Sequence, residues 1–288
     1  MARVDLIIGG ENKGTFYFGD EYPAEYTIEN VKHKTGDQKV QLIVNSDDGN
    51  WDAYVDYLLI GSGLAAGTGT SNGNASSGNK PSANTKLVAL TFDDGPSPTT
   101  TNQVLDILEK YNVPGTFFLI GKQVTPDTRE IMERQLSLGC ELGSHSYTHE
   151  DMSMMSANDV RNQMTWTSSA IKNTVNYDVK FFRPPYLAVS NTMYQNIDLD
   201  FIQGIDSGDW QSNVSANERA NNVLKNVKDG SIILMHDFEG NNNTVQALPT
   251  IIEGLQKQGY TLVTVSELFK QKGVNPGVEY KIWSNVLE

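Results

Sequence analysis

Residues 85–288 are predicted to form an α/β fold of parallel strands, and three observations support this prediction. Short apolar runs alternate with segments whose apolar residues recur at helical spacing, about seven times in roughly 200 residues. A stretch rich in Gly, Ser and Asn over residues 61–84 separates this region from residues 1–60. Rare polar residues follow the predicted strands, where parallel α/β folds place their sites. The pattern is typical of a parallel β/α barrel or a doubly wound sheet.

Residues 1–60 have the pattern of a small all-β unit. Apolar side chains alternate in Val40–Val44 and again in Tyr54–Ile60, so each segment presents one apolar face. About five short strands in this length make a sheet that would bury little core by itself. Residues 61–84 carry one charge and few apolar side chains, which predicts a flexible linker.

Residues 85–288 contain the strands and helices of the larger domain. Buried strands are predicted over Lys86–Phe92, Gly115–Ile120, Glu141–Ser146, Val179–Phe182, Phe201–Asp206, Ser231–Met235 and Tyr260–Val265. Helices are predicted where apolar residues are spaced i, i+3, i+4 and i+7. The clearest sets are Val104, Ile107, Leu108 and Tyr111, and Leu248, Ile251, Ile252 and Leu255.

The composition restricts the partners of the protein. A formal net charge of −13 argues against nucleic acid and anionic membrane surfaces, which attract clusters of Lys and Arg. Cys140 is the only cysteine, so an intrachain disulfide and a cysteine-based zinc finger are excluded, and a plain buried thiol is expected. No apolar run reaches the roughly 18 residues of a membrane span. Residues 1–5 lack the pattern that opens an export signal.

Five predicted strands end in polar groups that can perform chemistry. They are Asp93-Asp94, His145 to His149, Arg183, Asp206 to Asp209, and His236-Asp237. Each group also has a plainer interpretation, since Asp-Gly-Pro is a common turn and the histidines could lie on exposed loops. Three of the four histidines stand at these ends, however, and parallel strands would bring all five ends to one edge. Their joint occurrence favours a single site.

Two imidazoles and one carboxylate form the kind of ligand set that hydrolytic zinc uses. His145 and His149 supply the imidazoles, and either Asp93 or Asp94 supplies the carboxylate. Such a metal lowers the pKa of a bound water toward about 7, and the second Asp can accept its proton. Non-haem iron oxygenases use the same donors, but they usually place the carboxylate near the first histidine in an alternating β run. That run is absent from the sequence, so hydrolysis is favoured.

Two further groups fit metal-assisted hydrolysis. Arg183 can pair with the carboxylate that serves as the base and keep it ionised. A protonated His236 can donate to the leaving oxygen or nitrogen, with Asp209 supporting its charge.

Five motifs occur in order within about residues 85–270: Thr91–Pro96 (TFDDGP), His145–His149 (HSYTH), Arg183–Tyr186 (RPPY), Asp206–Trp210 (DSGDW) and Ile233–His236 (ILMH). They resemble the motifs of the polysaccharide deacetylases, carbohydrate esterase family four. The resemblance implies a distorted (β/α) barrel that removes acetyl groups from glycans. It also implies one divalent transition metal, Zn²⁺ or an ion like Co²⁺ or Ni²⁺.

The resemblance implies a role for each residue of these motifs. Asp93 would be the general base, with Arg183 as its partner, and Asp94, His145 and His149 would be the metal ligands. His236 would be the general acid, with Asp209 as its partner. The backbone N–H of Tyr186 would stabilise the oxyanion, and Trp210 and Leu234 would line the acetyl pocket. One position departs from the pattern. The family often has Gly or Asn after the aromatic residue of the third motif, and this chain has Leu187.

The segment Asp47–Tyr57 resembles the carboxyl-terminal part of the calcium-dependent xylan-binding modules of carbohydrate-binding family thirty-six. This resemblance spans residues 3–60 and implies a calcium site at Asp47, Asp52 and the carbonyl of Trp51, since Ca²⁺ prefers oxygen ligands. The run Asp47-Asp48-Gly49 is also typical of a hairpin turn. Such a module has roughly twice this length, so residues 1–60 would be a partial module.

An acetylated polysaccharide is the expected partner. The xylan-binding resemblance favours an acetylxylan esterase that acts on O-acetyl groups. The alternative is an N-deacetylase of chitooligosaccharide or peptidoglycan, because the motif residues serve either bond. A glycan substrate predicts a protein secreted by a bacterium, and we expect a monomer.

Overall fold

The computed structural model describes residues 2–8, 11–18, 40–46 and 85–288. The chain divides into two units, Met1–Ser77 and Gly78–Glu288. Three predictions for residues 1–84 lie outside the described residues. They are the strand at Tyr54–Ile60, the linker at residues 61–84, and the calcium ligands Asp47, Trp51 and Asp52.

The described part of the first unit is an antiparallel sheet of three strands in the order β2-β1-β3. The strands are β1 (Ala2–Ile8), β2 (Glu11–Phe18) and β3 (Val40–Ser46). Leu6 of the central strand is buried. The strand predicted around Val40–Val44 is confirmed as part of β3.

The second unit is built on parallel strands. They are β4 (Lys86–Gly95), β5 (Thr116–Leu119), β6 (Glu141–Ser144), β7 (Phe181–Phe182), β8 (Asp200–Ile202), β9 (Ile205–Asp206), β10 (Ile232–His236), β11 (Tyr260–Val263) and β12 (Ile282–Trp283). Their order is β12-β8-β7-β6-β5-β4-β10-β9, and β11 pairs with the first half of β4. β10 pairs with β4, and β9 pairs with β10. Because β8 and β9 are consecutive along the chain but lie toward opposite ends of this order, the strands curl into a distorted (β/α) barrel. The doubly wound alternative is thereby excluded.

The predicted strand Phe201–Asp206 is two strands, and the single-strand prediction is wrong. Gly204 has a φ of 89°, a left-handed conformation that favours glycine, and it interrupts the run. The first piece, β8, pairs with β7 and β12, whereas β9 pairs with β10. At the break at Gly204 the chain therefore moves from a position beside β7 and β12 to a position beside β10.

Residues 282–286 fill the wall between β8 and β10, and no sequence pattern predicted this. The carbonyl of Trp283 accepts the backbone N–H of Gln203 at 2.8 Å, and the carbonyl of Ser284 accepts that of Ile232 at 3.0 Å. Ser231 and Asn285 form an isolated antiparallel bridge. A strand of two residues is too short to show a periodic pattern.

Seven α-helices connect the described strands of the second unit. They are α1 (Thr100–Tyr111), α2 (Arg129–Ser137), α3 (Ala157–Val175), α4 (Asn191–Asn196), α5 (Ala216–Asn226), α6 (Asn242–Lys257) and α7 (Val265–Lys272). The two helices predicted from apolar spacing are confirmed as α1 and α6, whose apolar stripes pack into the core. Cys140 is buried between α2 and β6, as expected, and burial raises the pKa of its thiol to about 11. In the described part of the chain, no helix combines the length and apolarity of a bilayer span.

The alternation of side chains along β4 positions the site. Leu90 and Phe92 face outward into the core shared with α1 and α6. Ala89 faces inward and packs inside the barrel. Because alternate residues share a face, Thr91 and Asp93 continue the inner side toward the carboxyl end of the strand. Asp93 is therefore buried in the mouth of the barrel.

Candidate active site

The polar groups predicted at the strand ends converge at one edge of the barrel. Asp93 and Asp94 lie at the carboxyl end of β4. His236 is the last residue of β10 and pairs with Asp93 in the parallel register. His145 is the first residue after β6, and Arg183 is the first residue after β7. All of these strands are parallel, so the prediction of a shared edge is confirmed.

Three of the side chains form a compact ligand set. Asp94 Oδ1 lies 3.2 Å from His149 Nε2 and 3.4 Å from His145 Nε2. One ligand atom from each residue lies within 4.8 Å of the others. Asp94 Oδ1 is buried and has no hydrogen-bond partner among the described residues, which an isolated carboxylate oxygen tolerates poorly. The donor set and this unpaired oxygen both fit a Zn²⁺-like cation.

A hydrogen bond fixes His145 in the form that a metal ligand needs. Its Nδ1 lies 2.7 Å from the carbonyl oxygen of Arg183. A carbonyl can only accept, so Nδ1 carries the proton and Nε2 is free toward Asp94. Burial lowers the pKa of His145, against the opposing effect of the Asp93 and Asp94 charges. The imidazole is accordingly neutral.

Left-handed backbone aims the ligands inward. Asp94, Ser146 and His149 have φ values of 74°, 64° and 60°. Non-glycine residues seldom adopt this conformation, and it persists where surrounding contacts impose it. Here the backbone N–H of Gly121 donates to the carbonyl of Ser146 at 2.9 Å. The loop between the two histidines is therefore held by its neighbours as well as by its own sequence.

Gln163 on α3 is a second clamp on this loop, and sequence reasoning missed it. Its side-chain oxygen accepts the backbone N–H of Tyr147 at 2.8 Å and that of Thr148 at 3.0 Å. Its amide nitrogen donates to the Thr148 hydroxyl at 2.9 Å. Gln163 is buried, and all three contacts fall on the segment between the histidine ligands. In sequence it is an ordinary helical glutamine, so no signal could have identified it.

We expect Gln163→Leu to weaken metal binding about tenfold or more, because a residue that orients ligands typically contributes this much. The matched control is Gln135→Leu, since Gln135 is equally buried but its amide has no hydrogen-bond partner among the described residues. Competition with a chromogenic chelator measures both affinities. Equal affinities for Gln163→Leu and wild type would remove Gln163 from the account.

The Asp93 carboxylate forms a buried ion pair. Arg183 Nη1 lies 2.6 Å from Asp93 Oδ1, and both side chains are fully buried. The guanidinium also stacks on the ring of Phe118 at 4.2 Å. The other carboxylate oxygen of Asp93 lies 3.7 Å from His145 Nε2, at the edge of the ligand set. Asp93 is thus paired with Arg183 beside the three ligands without belonging to them.

His236 and Asp209 form a second pair across the mouth. His236 Nδ1 donates to Asp209 Oδ1 at 2.7 Å, while Asp209 Oδ2 accepts the His236 backbone N–H and the Thr244 hydroxyl, each at 2.7 Å. Burial alone would lower the pKa of His236. The hydrogen bond and charge of Asp209, helped by Asp93 and Asp94, outweigh burial and raise it to about 9. The imidazole therefore carries a transferable proton at neutral pH.

The remaining predicted residues lie around this edge. The Tyr186 ring contacts the His149 ring at 5.0 Å, and Tyr186 and Leu187 both have left-handed φ values, 56° and 57°. The position where the family often has Gly or Asn is thus left-handed here with a leucine. Leu234 is buried two residues before His236 on the same face of β10. The Trp210 ring is 58% exposed, and its N–H donates to Asp206.

Asp237, directly after His236, is a buried acid to which the sequence analysis assigned no role. It is fully buried, and its Oδ2 accepts the Thr101 hydroxyl at 2.5 Å. Burial raises its pKa to about 7, and the charges of Asp94 and Asp93 add to this. A side chain at Gly95 would meet its oxygens at 2.7 to 2.8 Å. Asp237 therefore requires a glycine after the Asp93-Asp94 pair.

A parallel β/α barrel that gathers two histidines and several carboxylates at its strand ends has the groups that a hydrolase uses. The chain belongs to the polysaccharide deacetylase family, whose sequence profile matches residues 80–200. It is 36% identical to a peptidoglycan-N-acetylglucosamine deacetylase of Bacillus cereus, covering 66% of this chain and 91% of that protein.

Other relatives are more similar. The chain is 62% identical to the bifunctional xylanase/deacetylase of Pseudobutyrivibrio xylanivorans, covering 99% of this chain and 49% of that protein. The chain thus spans about half the length of this curated relative, and the match includes the N-terminal unit.

Two solved structures share the fold. One is the Xyl-CE4 domain of a multidomain xylanase from the hindgut metagenome of Trinervitermes trinervoides, with 67% identity and a TM-score of 0.70, covering 71% of this chain and 99% of that one. The other is a family 4 acetyl xylan esterase from Clostridium thermocellum in complex with a cobalt ion. It has 42% identity and a TM-score of 0.68, covering 70% of this chain and 99% of that one. The expected barrel and family are confirmed.

Proposed function

We propose that the protein is an acetylxylan esterase that hydrolyses O-acetyl groups of xylan with a single divalent metal, Zn²⁺ or an ion like Co²⁺. The observation that carries this proposal is the convergence of Asp94, His145 and His149 between the Asp93–Arg183 pair and the His236–Asp209 pair. The xylanase/deacetylase and acetyl xylan esterase relatives support xylan as the substrate.

Asp94, His145 and His149 would hold the metal. When bound, the metal supplies Lewis-acid chemistry, activating water and polarising the acetyl carbonyl. Asp93 would accept the proton of the attacking water, and its ion pair with Arg183 would hold the carboxylate in position. The backbone N–H of Tyr186 would donate to the oxyanion, and Trp210 with Leu234 would enclose the acetyl methyl group. His236 then protonates the sugar oxygen as the C–O bond breaks.

N-deacetylation is the second candidate, and the peptidoglycan deacetylase relatives favour it. An amide nitrogen leaves less readily than an alkoxide and needs a stronger proton donor. The His236–Asp209 pair can supply a proton in either case. The relatives whose names refer to xylanase or acetyl xylan esterase are more similar in sequence to this chain than the peptidoglycan deacetylase is. We therefore favour the ester as the substrate.

Acetate release tests the proposal. We expect release from acetylated xylan at a kcat/KM at least tenfold above that for N-acetyl chitooligosaccharide, because an ester is hydrolysed more readily than an amide and is the proposed natural target. A preference for the chitooligosaccharide would replace the esterase by the N-deacetylase.

Metal removal is expected to abolish acetate release, because the three ligands have no other function in the proposed reaction. Dialysis against a chelator should lower the rate by at least 10²-fold, and addition of Zn²⁺ or Co²⁺ should then restore it. Mg²⁺ is the control, since it disfavours imidazole ligands and should not restore activity. Full activity after complete chelation would contradict the proposed mechanism.

The N-terminal unit is proposed to be a partial xylan-binding module, with calcium at Asp47, Trp51 and Asp52. We expect deletion of residues 1–80 to leave the hydrolysis of 4-nitrophenyl acetate within about twofold of the full chain, because all groups of the proposed site lie beyond residue 85. The deletion should lower binding to insoluble xylan. Loss of the small-ester activity would show that the N-terminal unit supports the barrel.

We further propose that the protein acts outside a bacterial cell, where polymeric xylan is found, and that it is a monomer. Size-exclusion chromatography with light scattering tests the second statement, and a mass near the 31.8 kDa of one chain is expected.

A further inference from the structure

We infer a glycan-binding subsite in a groove around Trp166, beside the metal-ligand loop, and this inference rests on the proposed function. The groove has a volume of about 310 Å³. Its lining residues are Glu150, Met155, Asp159, Asn162, Gln163 and Trp166. We call this the Trp166 groove. It would hold a sugar unit that is linked to the acetylated unit but is not itself deacetylated.

The aromatic wall of the groove is exposed and oriented. Half of the Trp166 surface, 50%, is open to solvent. The Tyr147 ring meets the indole edge to face, with ring centres 5.5 Å apart and an angle of 68° between planes. A large aromatic ring rimmed by polar groups is a typical surface for binding, and a sugar ring can pack its C–H face on it. Tyr147 thereby fixes a platform at Trp166.

The polar groups of the groove fit an uncharged, hydroxyl-rich ligand. The Glu150 carboxylate and the Asn162 amide both line the groove, where they can bond to sugar hydroxyls. Asp159 already accepts the Ser156 hydroxyl at 2.7 Å and is less available. The lining contains no Lys or Arg, which disfavours a phosphate or another anion. A neutral pyranose is the ligand class that these groups match.

The groove is continuous with the metal-ligand loop. Glu150 directly follows the ligand His149, and Gln163 both lines the groove and holds Tyr147 and Thr148 of the same loop. Trp166 lies three residues beyond Gln163 on α3, about 4.5 Å along the helix axis. The groove and the metal-ligand set thus share one loop, and we take this proximity as the basis for placing both on one glycan chain.

The experiment compares two chain lengths. Acetylated xylobiose and acetylated xylohexaose are hydrolysed by wild type, Trp166→Ala, Trp166→Phe and Met154→Ala. We expect Trp166→Ala to lower the ratio of kcat/KM for the hexaose to that for the biose about three- to tenfold, mainly through KM, because aromatic packing contributes this much. Trp166→Phe should retain most of the ratio. Met154 is 92% exposed and outside the groove lining, so Met154→Ala should keep the wild-type ratio.

Two results would overturn the subsite. One is wild-type kcat/KM for both substrates in Trp166→Ala, and the other is an equal fold loss for both, which leaves the ratio unchanged and would make Trp166 a support of the loop. Failure of the proposed function is seen separately, as no acetate release by wild type from either substrate. In that event calorimetry with unacetylated xylohexaose decides the subsite: binding to wild type that Trp166→Ala loses supports it, and no binding to wild type refutes it.

Discussion

Asp93→Asn is expected to lower kcat for acetylated xylan by about 10²- to 10⁴-fold, the usual contribution of a positioned general base. The amide has the size of the carboxylate but cannot accept the proton of the attacking water. Metal affinity should remain close to wild type, because Asp94, His145 and His149 are unchanged. The same loss is expected for 4-nitrophenyl acetate, since the base acts before the leaving group departs. Steady-state kinetics on both substrates measure these effects.

The same substitution leaves the buried Arg183 guanidinium without an anionic partner. Breaking a fully buried pair from one side typically costs about 3–5 kcal/mol of the free energy of unfolding. Arg183 and Asp93 are both buried, so the upper part of this range is expected. Denaturant titration measures the loss in the free energy of unfolding separately from the loss in kcat. Kinetic assays at temperatures well below the unfolding midpoint of Asp93→Asn ensure that the folded variant is compared with wild type. Near wild-type kcat in a folded Asp93→Asn protein would assign the base elsewhere.

His236→Ala is expected to lower kcat for acetylated xylan by about 10²- to 10⁴-fold as well, but through the leaving group. A sugar alkoxide needs a proton, whereas nitrophenolate leaves without one. The loss on 4-nitrophenyl acetate should therefore be at least tenfold smaller than the loss on xylan. Asp93→Asn is the matched control, because it should lose activity equally on both esters. Equal losses for His236→Ala on both esters would contradict its role as the acid.

The pKa of His236 predicts the alkaline side of the pH profile. The imidazole is protonated below about 9, so kcat/KM should fall as pH rises toward this value. A bound cation offsets the charges of Asp93 and Asp94, which places the alkaline limb at or below pH 9. The folded pKa exceeds the usual 6.5, so the pair with Asp209 stabilises the fold fully below pH 6.5 and loses this effect through pH 9. Thermal unfolding of wild type should show this decline, and His236→Ala should not.

Much of the site could be predicted because its residues break an apolar pattern. Asp93, His145, Arg183 and His236 each end a run of buried hydrophobic residues, and parallel strands bring such ends together. The barrel followed from the same alternation of strands and helices. These features are encoded locally, in residue types next to one another along the chain.

Other features depend on tertiary placement and gave no local signal. Gln163 is identical in pattern to an exposed helical glutamine, and its role arises because α3 packs against the histidine loop. The left-handed backbone at Leu187 contradicts local preference, since a leucine rarely adopts it. The two-residue strand β12 closes the barrel through backbone hydrogen bonds that any sequence could form.

The most direct test of the account is the metal content of four proteins: wild type, Asp94→Ala, His149→Ala and Asp93→Asn. Each is loaded with Zn²⁺, dialysed and measured by atomic emission, with affinity determined by chelator competition. We expect about one zinc per chain in wild type and Asp93→Asn, and at least 10²-fold weaker binding in Asp94→Ala and His149→Ala, since each loses one of three ligands. Wild-type affinity in Asp94→Ala, or no bound zinc in wild type, would contradict the central claim that these three side chains form a metal site beside a free Asp93.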